Sequence, residues 1–542
     1  VVRQKQNDSA DDFVGGRDAT WLAIGASIFA SNIGSEHLIG LAGAGASSGM
    51  AMAHWEIQGW MILILGWVFV PFYSRSMVYT MPEFLERRYN PQSRTILSVI
   101  SLVSYVLTKV AVTVYAGGLV FQQVFGIKEL WGIDFFWIAA IGLVVLTALY
   151  TIFGGMKSVL YTSVLQTPIL LLGSLIILVL GFKELGGWDE MLRVCGAVTV
   201  NDYGDTMTNL IRSNDDANFP WLGALIGSAI IGFWYWCTDQ FIVQRVLSGK
   251  NEKEARRGTI FGAYLKLLPV FLFLIPGMIA FALHQKYIGA GGEGFLPMLA
   301  NGTANADAAF PTLVAKLLPA GVKGLVVCGI LAALMSSLAS LFNSSAMLFT
   351  IDFYKRFRPE TPEKKLVGIG QIATVVIVIL GILWIPIMRS VGDVLYTYLQ
   401  DVQSVLAPGI AAAFLLGICW KRTSAQGGMW GLIAGMIIGL TRLGAKVYYS
   451  NAGEVADSTF KYLFYDMNWL FFCGWMFLFC IIVVIVVSLA TEAPTAEKIQ
   501  GLVFGTATKE QKAATRASWD HWDIIHTVII LAITGAFYWY FW

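Results

Sequence analysis

The chain has 542 residues, of which 56% are hydrophobic and only 13% are charged, whereas a typical soluble domain has about 25% charged residues. This composition excludes a soluble globular protein and indicates an integral membrane protein. The net charge of +2 is too small to suggest a nucleic-acid partner. Six widely spaced cysteines without a CxxC pair are interpreted as small core residues, not as zinc ligands or disulfides.

Thirteen apolar stretches are long enough to cross a bilayer, which takes about 20 residues each. No ten-residue alternation suggests a barrel, so the stretches are predicted to be helices. We number them segments 1 to 13: 20–48, 52–75, 95–123, 133–153, 159–182, 220–246, 259–285, 322–352, 367–388, 393–418, 427–449, 467–490 and 522–542.

The charges in the loops test this number of segments. If residues 1–19 are cytoplasmic, most lysines and arginines fall in cytoplasmic loops, as the positive-inside rule requires for an odd number of segments with an outside C-terminus. The loop at 185–219 is acidic and is predicted to be extracellular and solvated. The chain starts at Val1 without a signal-peptide pattern, so an N-terminal piece is expected to be missing.

Two segments contain polar interruptions. Segment 1 includes SNIGSEHLIG (31–40), and segment 6 includes GFWYWCTDQ (232–240). Polar groups in hydrocarbon are costly, and a pair of interrupted segments at matching places in two halves is typical of transporters built from inverted repeats. A kinked helix whose serine and asparagine bond their neighbours is the alternative for either segment alone. The pair favours a mid-membrane site in which unwound carbonyls bind a cation.

The predicted fold class is therefore an all-α polytopic membrane protein. Its core is a five-plus-five inverted-repeat transporter core with discontinuous helices 1 and 6. The first repeat covers 20–184, and the second, after the extracellular loop 185–219, covers 220–422. Residues 1–19 form a cytoplasmic segment, and 423–542 form accessory helices 11–13.

Several stretches resemble the solute:sodium symporter family, in its sodium/glucose and sodium/myo-inositol cotransporter branch. They are ASIFASNIGSEHLIGLAG, VFVPFYSRSMVYTMPEFLERRYN, FWYWCTDQFIVQRVLSGKN, YLKLLPVF and LAALMSSLASLFNSSAMLFTIDFYK. The resemblance runs nearly continuously from about residue 20 to 422. Family members have one more helix before the broken one, so the resemblance implies that this helix is missing here.

A small hard cation prefers oxygen ligands, and the adjacent hydroxyls of Ser336 and Ser337 in segment 8 can supply them. Serines in membrane helices more often bond the carbonyl one turn back. The resemblance implies a sodium ion between the break in helix 1 and helix 8. Its ligands would be the carbonyls of Ala30, Ile33 and Ala333 with the hydroxyls of Ser336 and Ser337.

The resemblance also bears on stoichiometry. Relatives with a second sodium have an aspartate in helix 5, where this chain has Ser163, and Ala339 offers no hydroxyl at the companion position. Since both changes remove ligands, we predict one sodium ion per substrate. The aspartate also occurs in a one-sodium bacterial galactose relative, so it is not diagnostic alone.

A neutral polyhydroxylated substrate needs carboxylate, amide and ammonium groups around an aromatic platform. The resemblance implies such a site, with Tyr235 stacking on the ring from the inner side. The residues are Asn32, His37, Glu56, Tyr235, Trp236, Lys266 and Gln400. Leu41, Trp55 and Tyr396 would cover the substrate from outside as gate residues, and Tyr235 would be the inner gate.

Each of these residues has an alternative explanation. Glu56 could face water at the outer interface, Lys266 could extend its amine toward the inner interface, and the aromatic run 234–236 could be packing. Lys109 is expected to be structural, with no partner evident from the sequence.

The residues at positions 37 and 232 bear on the choice of substrate. The bacterial galactose relative has asparagine where this chain has Gly232, and glutamine where it has His37. The histidine instead matches animal glucose and inositol carriers. This favours a glucose-like hexose first and myo-inositol second.

The sequence therefore predicts a sodium-coupled sugar symporter that works by alternating access, as a multi-pass protein of a bacterial plasma membrane. Sodium, the neutral sugar and the lipid bilayer are the expected partners, and no enzyme activity is expected. GASSG (45–49) fits GxSxG, but that motif requires a strand-to-helix turn, and here it lies in an apolar helix. A sodium/myo-inositol symporter, a channel and a non-transporting sugar sensor are the alternatives.

Overall fold

The computed structural model describes residues 17–34, 36–299, 302–391, 395–451 and 456–542. Within these ranges it describes only the backbone of 123, 150, 152–163, 165–167, 170, 363, 387–391 and 451. Ser163, which was predicted to distinguish this chain from two-sodium relatives, is one of these residues. Its side chain therefore lies outside the described part of the structure.

Helices make up most of the described chain. The α-helices are Trp21–Asn32, Ala42–Ser48, Ala53–Glu56, Gly59–Ile64, Val70–Ser76, Met81–Arg88, Pro91–Ser104, Ala111–Phe125, Phe135–Leu185, Trp188–Gly196, Trp221–Gly232, Gln240–Leu247, Glu252–Lys266, Ile275–Gly289, Ala309–Leu317, Ala320–Met347, Lys355–Phe357, Glu363–Val391, Leu395–Cys419, Ala425–Asn451, Thr459–Lys461, Trp469–Ala490, Ala496–Ile499, Lys509–Ala517 and His521–Tyr540. π-Helical turns join many of them, at Glu36–Leu41, Leu65–Phe69, Tyr105–Val110, Phe233–Thr238, Val270–Leu274, Leu348–Tyr354 and Tyr462–Asp466. Short 3₁₀ turns lie at Gly49–Met52 and Ala306–Ala308, and Glu129–Leu130 pairs with Ile133–Asp134 in an antiparallel two-stranded sheet.

Ten helical stretches in the described residues are long and apolar enough to cross a membrane, or eleven if one bent pair is counted. The difference from thirteen segments arises early in the chain. Segment 1 is divided, and its second half continues into segment 2 as Glu36–Ser76. Segments 4 and 5 contribute the shorter helix Phe135–Leu149 and the bent pair Leu171–Leu185 with Trp188–Gly196.

The predicted loop between segments 4 and 5, at 154–158, is wrong. The backbone is helical throughout Phe135–Leu185. The sequence between the two apolar stretches includes Gly154 and Gly155. Glycine lowers helix stability by only about 1 kcal/mol relative to alanine, and apolar sequence on both sides carries the helix across the pair.

Small residues bring the helices of the core into close contact. A Cβ atom at Gly277 would lie 1.9 Å from the carbonyl oxygen of Ala42, and one at Gly45 would lie 2.2 Å from that of Leu274. The GASSG sequence therefore packs a helix against segment 7, as glycines in membrane helices commonly do. The backbone of Gly409 similarly approaches Gly435 of an accessory helix.

Part of the acidic loop 185–219 is packed inside the protein. Arg212 and Asp216 are both buried, with their charged groups 3.8 Å apart. Arg212 also donates to the carbonyl of Ser48, the last residue of the helix Ala42–Ser48. This contact connects the loop to the outer end of segment 1, so the loop helps to position the first interrupted segment.

Candidate functional site

Segment 1 is a broken helix, as predicted. We call Trp21–Asn32 and Glu36–Ser48, with the intervening turn, the first broken helix. Gly34 N–H donates to Asn32 O at 3.0 Å, and His37 N–H donates to Gly34 O at 3.2 Å. In an uninterrupted α-helix these amides would instead bond Ala30 O and Ile33 O, four residues earlier. The break therefore diverts the helical donors from the two carbonyls that were predicted as sodium ligands.

The helix Ala320–Met347, which we call the serine helix, lies against this break. Ser337 Oγ donates to the carbonyl of Ser31 at 3.0 Å, and a Cβ atom on Gly34 would lie 2.5 Å from Ser337 Oγ. Ser31 Oγ and Ser340 Oγ form a second contact at 2.8 Å. The predicted ligand residues Ala30, Ile33, Ala333, Ser336 and Ser337 are all buried. Several backbone and hydroxyl oxygens thus converge where a hard cation could bind.

Segment 6 is also broken. Its helix Trp221–Gly232 continues as the π-helical turn Phe233–Thr238 and is interrupted at Asp239, which has φ −76° and ψ 128°. We call Trp221–Thr238 and Gln240–Leu247 the second broken helix. Asp239 accepts from Phe241 N–H at 3.3 Å and from Tyr105 Oη at 2.6 Å. The bond from Phe241 N–H caps the second half of the helix, as an aspartate at an N-terminus commonly does.

A central cavity lies between the two broken helices. All seven predicted substrate residues line it, namely Asn32, His37, Glu56, Tyr235, Trp236, Lys266 and Gln400. The cavity volume is about 40 Å³, which holds a few water molecules and is far below the ~300 Å³ at the lower end of ligand pockets. The helices must therefore separate to admit a sugar.

Glu56 is the centre of the polar network in this cavity. Its Oε2 accepts from Lys266 Nζ at 2.6 Å and lies 3.2 Å from His37 Nε2, while its Oε1 accepts from Tyr396 Oη at 2.6 Å. Lys266 Nζ also donates to Asn32 Oδ1 at 3.3 Å. Glu56 and Lys266 are both buried, so neither faces water at an interface. A buried ion pair is weak evidence for stability. The network around this pair connects segments 1, 2, 7 and 10 at the cavity.

Three polar atoms of the residues that line the cavity have neither a hydrogen-bond nor an ion-pair partner among the described residues. They are Gln400 Oε1, His37 Nδ1 and Trp55 Nε1, all buried. An unsatisfied buried polar atom costs about 1–3 kcal/mol. Atoms of this kind at a cavity wall are suited to a polar ligand, since a sugar hydroxyl could bond to any of them.

The predicted gate residues divide into two groups. Trp55 and Tyr396 line the cavity. Trp55 stacks on Trp469 of an accessory helix with ring centroids 5.5 Å apart. Tyr235 lines the cavity from the second broken helix, and its hydroxyl accepts from Asn32 Nδ2 at 3.1 Å. Leu41 is buried but is not among the residues that line the cavity.

The structure identifies the partner of Lys109. The Lys109 ammonium donates to the Asp239 carboxylate, which lies 130 positions along the chain at the second break. It also lies 3.9 Å from the Phe241 ring centroid and 4.8 Å from that of Tyr235. The lysine therefore has a buried partner, which the sequence did not identify, and it contacts the aromatic residue predicted as the inner gate.

Three further polar residues line the cavity and were not predicted as site residues: Glu36, Gln58 and Gln403. Gln58 is the least expected, because residues i and i+2 of a helix do not share a face. The backbone of Ile57 and Gln58 departs from helical values, with ψ of 20° and 24°. This irregular turn directs both Glu56 and Gln58 toward the cavity.

Two broken helices that face each other across a buried polar cavity define a secondary transporter built from inverted repeats. The chain belongs to the Sodium:solute symporter family, whose sequence model matches residues 13–435. It is therefore a sodium-coupled solute symporter, with sodium as the co-transported ion.

Individual relatives agree with this assignment. The chain is 36% identical to sodium/myo-inositol cotransporter 2 of Homo sapiens over 93% of this chain and 76% of the relative. It is 39% identical to sodium/glucose cotransporter 1 of Ovis aries over 89% of this chain and 74% of the relative. The solved structure of a Na⁺-coupled sialic acid symporter in a substrate-bound outward-open state has a TM-score of 0.70 at 22% identity, covering 91% and 94% of the two chains. This likeness confirms the fold.

Proposed function

We propose that the protein couples the inward movement of one sodium ion to the uptake of a neutral hexose of the glucose type. The observation that carries the substrate class is the cavity network around Glu56 and Lys266, in which carboxylate and ammonium neutralise each other. A neutral ligand leaves this ion pair intact. Gln400 Oε1 and His37 Nδ1 then supply unpaired polar atoms for its hydroxyl groups.

The proposed sodium site consists of the carbonyls of Ala30, Ile33 and Ala333 with the hydroxyls of Ser336 and Ser337. Its support is the diversion of helical donors from Ala30 and Ile33 and the contact of Ser337 with Ser31. Sodium would hold the first broken helix against the serine helix and so order Asn32 and His37 for sugar binding. This sequence of events couples the two ligands.

Alternating access would follow from rocking of the broken helices with their neighbours, helices 2 and 7. Trp55 and Tyr396, together with Leu41 above them, would close over the sugar. Tyr235 would then leave Asn32 to open the inner path, and sodium would dissociate into a cytoplasm low in sodium. Since Ala339 offers no hydroxyl beside the serine pair, we propose a stoichiometry of one sodium ion.

Myo-inositol is the second candidate substrate. A polyol has the same neutral hydroxyl pattern, and the human relative named above carries myo-inositol in its name. The relatives named above come from mammals, so location in a bacterial plasma membrane stays a prediction.

The test is uptake of radiolabelled glucose into proteoliposomes with and without an inward sodium gradient. We expect gradient-dependent uptake, a higher sodium concentration at half-maximal rate for Ser337→Ala, and a higher sugar KM for Gln400→Ala. Ser47→Ala, at an exposed position of the first broken helix, and Gln122→Ala, whose side chain bonds Asp134, serve as matched controls. Glucose uptake that ignores sodium would overturn the proposal, and binding without flux would indicate a sensor.

A further inference from the structure

Gln58 is a polar residue of the cavity whose position depends on an irregular turn. Its side chain is 2% exposed and lines the cavity next to Gly232 of the second broken helix. The turn at Ile57 and Gln58 interrupts segment 2 between Ala53–Glu56 and Gly59–Ile64. Without this turn Gln58 would point away from Glu56. The local backbone therefore adds a second polar side chain to this wall of the cavity.

The orientation of the Gln58 carboxamide follows from its hydrogen bond. Gln58 Nε2 donates to the carbonyl of Ser228 at 2.8 Å. A carbonyl can only accept, so the amide nitrogen must face Ser228. The oxygen Oε1 is then directed toward Gly232, where a Cβ atom would lie only 2.5 Å away.

Gln58 and a side chain at position 232 thus exclude each other. A Cβ atom at 232 would also lie 2.9 Å from Cδ and 3.1 Å from Nε2 of Gln58. The whole carboxamide occupies the volume that a larger residue at 232 would need. Any such residue would have to displace Gln58 and break its bond to Ser228.

Gln58 Oε1 also differs from the other acceptor on segment 2. Both oxygens of Glu56 already accept from protein donors, Lys266 and Tyr396. The amide oxygen of Gln58 is uncharged, and no such donor competes for it in the cavity network described above. It is therefore suited to accept from a neutral hydroxyl.

We propose that Gln58 determines substrate specificity by accepting a hydrogen bond from one sugar hydroxyl, and that Gly232 leaves the space in which its carboxamide sits. This inference rests on the proposed function, since it assigns a contact within the same substrate site. It predicts that this wall of the cavity distinguishes ligands by one particular hydroxyl group and not by their overall polarity.

The first experiment compares Gln58→Met with the unchanged protein, because methionine keeps the volume and removes the acceptor. Inhibition of sodium-driven glucose uptake is measured with glucose and each of its monodeoxy analogues. We expect a three- to tenfold loss of glucose affinity, the range for about one hydrogen bond. One deoxy analogue should bind both proteins equally, because it lacks the hydroxyl that Gln58 contacts. An equal loss for every analogue, or no loss for any, would overturn the proposal.

The second experiment is a double-mutant cycle between positions 58 and 232. Gly232→Ser alone should weaken glucose binding by displacing Gln58, and combining it with Gln58→Ala should restore part of the affinity. Additive losses would contradict mutual exclusion. Size-exclusion profiles verify folding, and Gln122→Ala is the control for an amide outside the cavity. Sodium dependence should persist in every variant, whereas its absence in the unchanged protein would defeat the proposed function instead.

Discussion

The buried ion pair of Lys109 and Asp239 joins residues that lie far apart in the sequence. Lys109 and Asp239 are 130 positions apart, yet both are buried and form an ion pair at the second break. Asp239 also caps the helix that begins at Gln240. Removing one member of a buried pair leaves an uncompensated charge, which typically costs 3–5 kcal/mol.

We therefore expect Lys109→Met to lower the thermal unfolding midpoint strongly. Lys109→Met combined with Asp239→Asn should recover much of the loss, because asparagine keeps a cap acceptor without the charge. The measurement is fluorescence-detected thermal unfolding of the purified protein. If the double variant were no more stable than the single one, the pair would not be the source of the destabilisation.

Asp307 lies in the 3₁₀ turn of the outer loop between segments 7 and 8. Leu395 N–H donates to its Oδ2 at 3.3 Å, while its Oδ1 has no hydrogen-bond partner among the described residues. The helix Ala42–Ser48, which packs against this turn, has no ionisable side chain. Burial raises the pKa of the Asp307 carboxyl to about 7, from an ordinary value of 3.8.

The folded protein therefore holds this proton more tightly than the unfolded chain does. The stability contributed by Asp307 is fully present below pH 4 and is lost as the pH rises to about 7, at about 1.4 kcal/mol per pH unit. We expect Asp307→Asn to remove this part of the pH dependence. The thermal unfolding midpoint of the variant should therefore exceed that of the unchanged protein by more at pH 8 than at pH 5. Asp202→Asn, at an exposed position, is the control. An equal effect at both pH values would contradict the prediction.

The family resemblance indicated the polar residues that line the cavity, whereas residue types alone left interfacial and packing explanations open for Glu56, Lys266 and the aromatic run 234–236. The sequence did not predict which atoms of these residues contact each other. The partner of Lys109 depends on long-range packing, and Gln58 depends on the turn after Glu56. A helical wheel places Gln58 on the opposite face, so only the backbone reveals it.

At the scale of elements, the first broken helix and the serine helix approach closely because residue 34 is glycine. A Cβ atom there would lie 2.5 Å from Ser337 Oγ and 2.9 Å from Glu36 Oε2. The serine hydroxyl sits on a packed helix and has little freedom to withdraw. An added methyl group would therefore separate the two elements that form the proposed sodium site.

We expect Gly34→Ala to raise the sodium concentration for half-maximal uptake by about tenfold, equivalent to ~1.4 kcal/mol. Gly142→Ala is the matched control, since a Cβ atom at Gly142 would have no neighbour within 4 Å. The measurement is glucose uptake at a series of sodium concentrations. An unchanged sodium dependence in Gly34→Ala would place the cation elsewhere.

The interruptions themselves were predictable, whereas their extent was not. Segment 1 breaks within the polar run 31–40, since its clustered polar groups and glycine oppose a regular helix. In segment 6 the aromatic residues stay helical in a π-turn, and the chain opens only at Asp239. The limits of the apolar stretches did not predict the backbone at 154–158, which is helical.

At the scale of the whole molecule, the number of sodium ions sets how far sugar can be concentrated. One ion crossing a potential of 100 mV provides about 2.3 kcal/mol, and a tenfold sodium gradient adds about 1.4 kcal/mol. Together they support an accumulation of about 10²–10³-fold. Two ions would square this ratio.

We therefore expect proteoliposomes under these gradients to accumulate glucose a few hundredfold at most. The measurement is the steady-state ratio of internal to external labelled glucose, with the potential set by a potassium diffusion gradient. Collapsing the potential should lower the ratio by the electrical share alone. A steady ratio near 10⁵ would require two ions per sugar.

At the proposed sodium site, the hydroxyl of Ser337 already has an internal partner, because it donates to the carbonyl of Ser31. An arriving ion would have to turn that hydroxyl so that a lone pair, and not the proton, faces inward. Ion capture at this site would then cost one internal hydrogen bond, which lowers the net gain in free energy. This suits a carrier, which must release its ion in every transport cycle. A buried ion site without such an internal hydrogen bond would release the ion more slowly.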